Sequence, residues 1–168
     1  KSVGSRILPR LTDPASIKAA LLQYQKSLKA EFGDLVQQEA GKLSPLSEEE
    51  ESALGESELK KLADDLPIVR IVETLLSHAI TQQASDVHIE PFEREVVVRY
   101  RLDGLLHDAM VLPKNAAAGI VARVKVLASL RLDEKRLPQD GRFKLELDGQ
   151  KVSFRVSILP TSFGEKVV

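Results

Sequence analysis

Two Asp-Gly dipeptides, each flanked by runs in which apolar and polar residues alternate, constrain the fold of this sequence most strongly. Asp-Gly readily adopts the positive φ angles of the two-residue turn that joins antiparallel strands. An alternation with period two is typical of a strand with one buried face. The sequence therefore predicts two β-hairpins. Their turns are Asp103-Gly104 and Asp148-Gly149, and their strands are residues 96–101, 105–112, 142–147 and 150–158.

Apolar residues at three- and four-residue spacing predict two helices beside these hairpins. The first begins at Pro67 and ends near Ala84, and the second begins at Pro113. Before the first hairpin, Val87 and Ile89 alternate with polar residues and predict one more strand. The order helix, strands, helix, strands predicts an α+β domain in which helices cover one side of an antiparallel sheet.

The beginning of the chain predicts a separate helical segment, which we place within residues 1–32. Asp13 and Pro14 supply a cap and a first-turn proline. Apolar residues then recur at helical spacing, so that the predicted helix extends from about Pro14 to Phe32.

An acidic segment separates this helix from the α+β domain. Residues 39–65 contain nine acidic and three basic side chains, a net charge of −6, and few large apolar ones. Such a segment cannot bury enough surface to offset its loss of conformational entropy. We therefore expect a linker over residues 33–66, with a short helix near residues 58–62, and a domain over residues 67–168.

The composition excludes several classes of protein. A net charge of −1 and an isoelectric point near 6.4 leave no basic field that could hold nucleic acid. The absence of cysteine excludes disulfides and thiolate metal sites and fits a reducing compartment. No apolar stretch reaches the length of a membrane span. We expect a cytoplasmic protein that neither binds nucleic acid nor inserts directly into a membrane.

A Walker A phosphate loop needs the pattern Gly-x-x-x-x-Gly-Lys-Ser/Thr, because backbone amides wrap the phosphates while the lysine reaches the outer ones. None of the nine glycines begins this pattern. The chain starts at Lys1 and stops at Val168 inside an apolar run, so we expect both ends to be cuts within a longer protein. This chain alone is not expected to hydrolyse ATP.

Asp86, His88 and Glu90 share one face of a predicted strand and offer oxygen and nitrogen donors to a metal ion. Alternate side chains lie about 7 Å apart along a straight strand, whereas metal ligands lie about 2 Å from the ion. We therefore predict no metal site, and expect hydrogen bonds that attach this strand to a neighbouring helix. His78 and His107 stand alone and are predicted to be structural or surface residues.

The two-residue turns also predict which residues face each other across each hairpin. In the first hairpin Arg99 lies opposite Asp108, an opposite-charge pair that we interpret as structural. In the second hairpin two arginines face each other. Its predicted pairs are Arg142 with Arg155, Phe143 with Phe154 and Glu146 with Lys151.

Like charges directly opposite destabilise a sheet, so the Arg142–Arg155 pair predicts a compensating feature. A carboxylate from elsewhere, plain solvent exposure and a bound anion are the alternatives, and phosphate oxygens match a guanidinium fork. Arg131, Lys135 and Arg136 concentrate further positive charge before Arg142. These residues form either a solvated basic loop or a basic edge that faces a nucleotide.

Five segments of the predicted domain follow one another in an order that is typical of one family. They are Pro67-Ile68-Val69, Ser85-Asp86-Val87-His88-Ile89-Glu90-Pro91, Arg99-Tyr100-Arg101-Leu102-Asp103-Gly104, Lys135-Arg136-Leu137-Pro138-Gln139-Asp140-Gly141-Arg142 and Phe163-Gly164-Glu165-Lys166-Val167-Val168. In this order the chain resembles the type II secretion and type IV pilus assembly ATPases.

The resemblance implies a PAS-like domain that precedes the RecA-like motor domain of a homohexameric ATPase. It implies that Arg155, nine residues before Gly164, contacts the phosphates of ATP bound with Mg²⁺ by the motor domain. The hairpin pairing adds Arg142 to this role, and the basic loop adds Arg136. The fragment alone would bind neither ATP nor Mg²⁺. Residues 1–32 would be the tail of a preceding domain that docks onto inner-membrane platform proteins.

The expected partners are the motor domain, the neighbouring subunits and these platform proteins, at the cytoplasmic side of the inner membrane. Two competing hypotheses are a freestanding PAS-like domain that binds a small ligand in an aromatic-lined pocket, and a pure interaction adaptor. Five Phe, two Tyr and no Trp offer few platforms for stacking a planar ligand. An adaptor would tolerate replacement of Arg155.

Overall fold

The computed structural model of the chain describes residues 13, 14, 16, 17, 33, 34, 36–43, 54–147 and 150–168. The helices are α1 (Glu56–Ala63), α2 (Leu66–Thr81) and α3 (Ala117–Leu127), and a 3-10 turn, Lys114–Ala116, leads into α3. The strands are β1 (Asp86–Pro91), β2 (Glu95–Leu102), β3 (Leu105–Pro113), β4 (Gln139–Leu147), β5 (Gln150–Thr161) and β6 (Gly164–Val167).

The six strands form one antiparallel sheet in the order β3-β2-β1-β6-β5-β4. Each half of the sheet is a meander of three strands that follow one another in the sequence. The halves meet where β1 pairs with β6, with Ile89 opposite Val167. The predicted α+β class, an antiparallel sheet covered by helices, is confirmed.

The registers predicted from the Asp-Gly turns are also confirmed. In the first hairpin Asp103 and Gly104 have φ angles of 50° and 83°, as a two-residue turn of this kind requires. Arg99 lies opposite Asp108, and an irregularity between Val98 and Arg99 shifts the pairing beyond it by one residue. The second hairpin has all three predicted pairs. Its turn residues 148 and 149 lie outside the described residues.

Strand β4 begins at Gln139, three residues before the predicted start of this strand at residue 142. Gly141 lies opposite Val156 in the ladder, and a Cβ at this glycine would lie 3.0 Å from the side chain and the carbonyl oxygen of Ala128. The glycine therefore permits a close approach of β4 to the end of α3 and does not mark a turn. Asp140-Gly141 is also an Asp-Gly dipeptide, but its pairing with β5 keeps it within the strand.

Helices α2 and α3 cover one face of the sheet, and their apolar sides form the main core. Gly119 in α3 lies so close to α2 that an added Cβ would be 2.6 Å from Ile68 Cδ1. Tyr100 reaches the same layer from β2 and donates its hydroxyl hydrogen to the carbonyl oxygen of Leu75 at 2.9 Å. The buried core residues include Ile68, Ile71, Leu75, Val96, Val98, Leu112, Ile120 and Ile158.

Parts of the segment predicted as a linker are helical and packed. Val36 and Ala40 are buried in the main core, and Leu59 and Ala63 of α1 form a smaller cluster with Ala122 and Leu132. The short helix predicted near residues 58–62 is confirmed and is slightly longer. Of the helix predicted from Pro14, the described residues 14, 16 and 17 are helical, and Asp13 Oδ1 accepts a hydrogen bond from the backbone N–H of Ser16 at 2.9 Å. The rest of that helix lies outside the described residues.

Candidate functional site

Arg142 and Arg155 form the centre of the candidate site. They face each other across β4 and β5, and both side chains are exposed. Their neighbours Phe143 and Phe154 stack at a ring-centroid distance of 4.9 Å and pack against the core, so the alternation of the strands puts the arginines on the opposite, open face. In the described part of the chain, neither guanidinium forms an ion pair or a side-chain hydrogen bond.

The surrounding side chains on this face do not neutralise the arginines. The nearest carboxylate along β4 is Asp140, whose Oδ1 accepts a hydrogen bond from the hydroxyl group of Ser157 at 2.5 Å. Positive charge exceeds negative charge among the described outward residues of the hairpin. The positively charged residues are Arg142, Lys144, Lys151 and Arg155, and the negatively charged residues are Asp140 and Glu146. A compact anion with several oxygens would complement this excess.

The loop before β4 carries Arg136 and is held by its own hydrogen bonds. The side chain of Gln139 accepts from the backbone N–H of Arg131 at 2.9 Å and donates to the carbonyl oxygens of Arg131 and Glu134, both at 3.0 Å. The Glu134 carboxylate accepts from the backbone N–H groups of Arg136 and Leu137 at 2.7 and 3.1 Å. These bonds, the one from Arg136 above all, lower the pKa of Glu134. The loop is therefore ordered around the side chains of Glu134 and of Gln139 at the start of β4.

Arg131, one of the basic residues of this loop, forms an ion pair within the loop. Its guanidinium binds Asp133 at 3.0 Å, and this bond lowers the pKa of the Asp133 carboxyl group. No ion pair engages the side chain of Arg136 within the described residues. Residues 139–142 of β4 span roughly 10 Å, so Arg136 lies at the end of the strand and not beside the arginine pair.

Arg155 also borders a groove of about 510 Å³ between α2, β1 and β5. Its walls are mostly apolar and include Leu75, Phe143 and Phe154, and its polar residues include Asp86. Arg155 is thus among the residues that line a mostly apolar groove.

The Asp86, His88 and Glu90 face of β1 is engaged in ion pairs between strands. Asp86 accepts from Arg101 Nε at 3.0 Å, and Glu90 binds both Arg99 and, at 2.6 Å, Lys166 Nζ. These partners belong to β2 and β6, so the predicted attachment to a helix is wrong. The physical reason is that the long arginine and lysine side chains of adjacent strands already reach the carboxylates. No group of three potential metal ligands converges in the described parts of the chain.

His88 is buried among these charges, and its Nδ1 lies 3.8 Å from Glu90 Oε1. Burial lowers the pKa of His88, and the nearby cations Lys166, Arg101 and Arg99 lower it further while Asp86 acts in the opposite direction. His78 is buried in α2 against the ring of Tyr100, with the centroids 5.5 Å apart, and is structural as predicted. His107 is exposed on β3.

The sequence patterns did not reveal one buried charge. Lys125 of α3 is 1% exposed, and its Nζ lies 2.7 Å from Glu165 Oε1 of β6. The available signal was the position of this cation, one turn after Val121 and shortly before Ala128, on the apolar side of the helix. Its partner lies forty residues away in sequence, within a strand that no local pattern predicts.

No helix in the described ranges is both long and apolar enough to cross a membrane. The family model described as "Type II/IV secretion system protein" matches residues 61–168, which contain all five ordered segments. The chain is therefore similar to this family over most of its described length.

Individual relatives extend the similarity towards the first residues. The Type IV pilus assembly ATPase PilB of Myxococcus xanthus is 39% identical over 166 residues, which are 98% of this chain and 29% of the relative. The Type II secretion system protein E of Klebsiella pneumoniae is 40% identical over 96% of this chain and 32% of its own length, and that of Aeromonas hydrophila is 47% identical over 62% and 21%. The chain thus spans less than a third of the length of these relatives.

Proposed function

This chain belongs to the type II/IV secretion system protein family, and we propose on that premise that it is the N-terminal region of a hexameric ATPase that powers type II secretion or type IV pilus assembly. Its resemblance to that family is confirmed by the family match and by the named relatives. In the proposed protein this region adds arginines to the ATP site of a motor domain and transmits the motion of that domain.

The observation that carries the proposal is the Arg142–Arg155 pair, two guanidinium groups that face each other on the open side of the sheet without an anionic partner among the described residues. Two forks on one face fit the oxygens of a triphosphate, and each would form charge-assisted hydrogen bonds. Arg136 would add a third cation from the ordered loop. ATP, bound with Mg²⁺ by the motor domain, would supply the phosphoryl group and the energy of its hydrolysis.

The chain's own share of this chemistry is to bind and to orient. Backbone amides and a lysine of a phosphate loop are needed to cradle the phosphates, and this sequence has no such loop. The strand ladder and the stack of Phe143 and Phe154 on the opposite face fix the backbone positions of the two arginines. Their exposed guanidinium groups would become ordered on binding and would stabilise phosphate charge through charge-assisted hydrogen bonds.

The proposed partners are the motor domain of the same protein, neighbouring copies in a homohexamer and the inner-membrane platform of a secretion or pilus machine. The proposed location is the cytoplasmic side of that membrane. The named functions of the relatives, type IV pilus assembly and type II secretion, support this assignment at the level of the machine.

The test is steady-state ATP hydrolysis by the protein that contains this chain together with its motor domain. Arg155→Ala should lower kcat/KM about tenfold or more, because a hydrogen bond from a charged group contributes about 1.5–3 kcal/mol. Arg142→Ala should act in the same direction. Lys144→Ala, which removes another cation from the same face of β4, is the matched control and should stay within about twofold of the wild type.

A rate for Arg155→Ala that equals that of Lys144→Ala would remove Arg155 from the nucleotide site. Arg155→Lys separates charge from geometry. If the planar fork matters, lysine restores only part of the loss, because an ammonium group cannot bind two oxygens in the same way.

A second candidate function, binding of a small amphiphilic ligand, is favoured by the groove beside Arg155 and its two phenylalanine rings. The probe is 8-anilinonaphthalene-1-sulfonate, which carries an aromatic body and an anionic group. Saturable binding of one molecule per chain, weakened by Arg155→Ala and by Phe154→Leu, would support this function. Fluorescence that rises without saturation, or that both variants leave unchanged, would oppose it.

A further inference from the structure

The ion pair between Lys125 and Glu165 joins α3 to β6 in a buried position. Lys125 is 1% exposed, and its ammonium group lies 2.7 and 2.8 Å from the two carboxylate oxygens of Glu165. Taking both charges out of water costs free energy that their attraction seldom exceeds, and apolar pairs of similar volume are often as stable. Stability alone therefore does not explain this pair.

A third contact gives the lysine a different kind of role. Lys125 Nζ also donates to the carbonyl oxygen of Glu134 at 2.7 Å, and this same carbonyl accepts from Gln139 Nε2 at 3.0 Å. Glu134 in turn binds the backbone N–H of Arg136 through its carboxylate. One buried ammonium group thus connects the helix layer, strand β6 and the loop that carries Arg136.

We propose that Lys125 is a positioning residue, which fixes the basic loop of residues 131–137 relative to β6. The step from loop order to nucleotide binding rests on the proposed function of Arg136. The geometry of the network does not depend on it, because every contact lies within this chain. The ammonium group donates hydrogen bonds to the Glu134 carbonyl oxygen and to Glu165 Oε2, and Glu165 Oε1 lies 2.7 Å away, so its contacts are all made within this chain.

The decisive comparison uses the double variant Lys125→Met with Glu165→Leu, which removes both charges and nearly keeps the volume of the side chains. Because an apolar pair replaces an ion pair, the double variant should unfold at a urea concentration close to that of the wild type. Lys125→Met alone leaves Glu165 buried without its cation and should unfold at clearly lower urea. The double variant therefore separates positioning from stability.

Amide hydrogen exchange of this chain measures the positioning. In the double variant the amides of residues 131–137 should exchange about tenfold faster, the change expected when one hydrogen bond from a charged donor is lost. The amides in the middle of α3 should keep their wild-type rates. Equal exchange of residues 131–137 in the wild type and the double variant would overturn the inference.

The KM for ATP of the protein with its motor domain distinguishes this inference from the proposed function. Faster loop exchange with a raised KM and a retained kcat supports both. Faster loop exchange with an unchanged KM supports the positioning role of Lys125 and overturns the assignment of Arg136 to the phosphates. Unchanged loop exchange overturns the positioning role whatever the KM.

Discussion

Gly119 gives a quantitative test of how α2 and α3 pack. An alanine Cβ at this position would lie 2.6 Å from Cδ1 and 2.8 Å from Cγ1 of Ile68, which is 1% exposed. Carbon atoms pack best at about 3.5–4.0 Å, so the helices or the isoleucine would have to move by close to an ångström. Rotation of the terminal methyl group does not relieve the contact with Cγ1. The substitution therefore overpacks the interface.

The expected change in the free energy of unfolding follows from two opposing effects. Overpacking costs about 1–3 kcal/mol, whereas alanine in place of glycine within a helix contributes about 1 kcal/mol. We expect Gly119→Ala to destabilise the chain by up to about 2 kcal/mol, measured as a lower urea midpoint at an unchanged slope.

The Ile68→Ala background should reverse the sign of this effect. Without the isoleucine side chain the closest atoms that oppose the new Cβ are gone, and Gly119→Ala should then stabilise by about 1 kcal/mol through helix propensity. The four proteins of the cycle are compared in the same urea titration. If Gly119→Ala shifts the midpoint equally in both backgrounds, the contact with Ile68 does not limit the packing of the two helices, and overpacking is refuted as the cause.

Three further predictions concern charges. Because the folded pKa of His88 lies below its ordinary value of 6.5, stability should fall as the pH drops from 6.5 towards the folded pKa, and His88→Gln should flatten this part of the curve of unfolding free energy against pH. The pKa of Glu134 is lowered from 4.5, so its loop bonds should persist above pH 4.5 and be lost only at lower pH, which the amide shift of Arg136 reports by NMR; a midpoint above 4.5 would contradict the lowered value. Lys114 donates hydrogen bonds to the carbonyl oxygen of Phe92, between β1 and β2, at 2.8 Å and to that of Phe163, between β5 and β6, at 2.6 Å. Lys114→Met should therefore speed amide exchange in both of these turns, whereas Arg94→Met, in the turn between β1 and β2, should not.

The hairpins are predictable from the sequence because their order is local. An Asp-Gly turn fixes the register of the residues beside it, and this register is enough to place Arg142 opposite Arg155. The helices are predictable for a similar reason, since their apolar spacing spans several turns.

Features that depend on distant partners are not predictable in this way. Strand β6 has four residues, Gly164–Val167, and too short a pattern to be recognised without β5 and β1 beside it. The Lys125–Glu165 pair needs the docking of α3 against that strand. Whether the facing arginines bind phosphate depends on a ligand, and neither the strand pattern nor the register tests that role.

The junction between β1 and β6 has a consequence for the order in which the chain folds. Each meander consists of neighbouring hairpins, whose loops are short and close at little entropic cost, whereas the Ile89–Val167 bridge closes a loop that contains nearly half the chain. Contacts of such long sequence separation form slowly. The middle of the finished sheet is therefore the last part to assemble, and during synthesis the first meander can form before the second has left the ribosome.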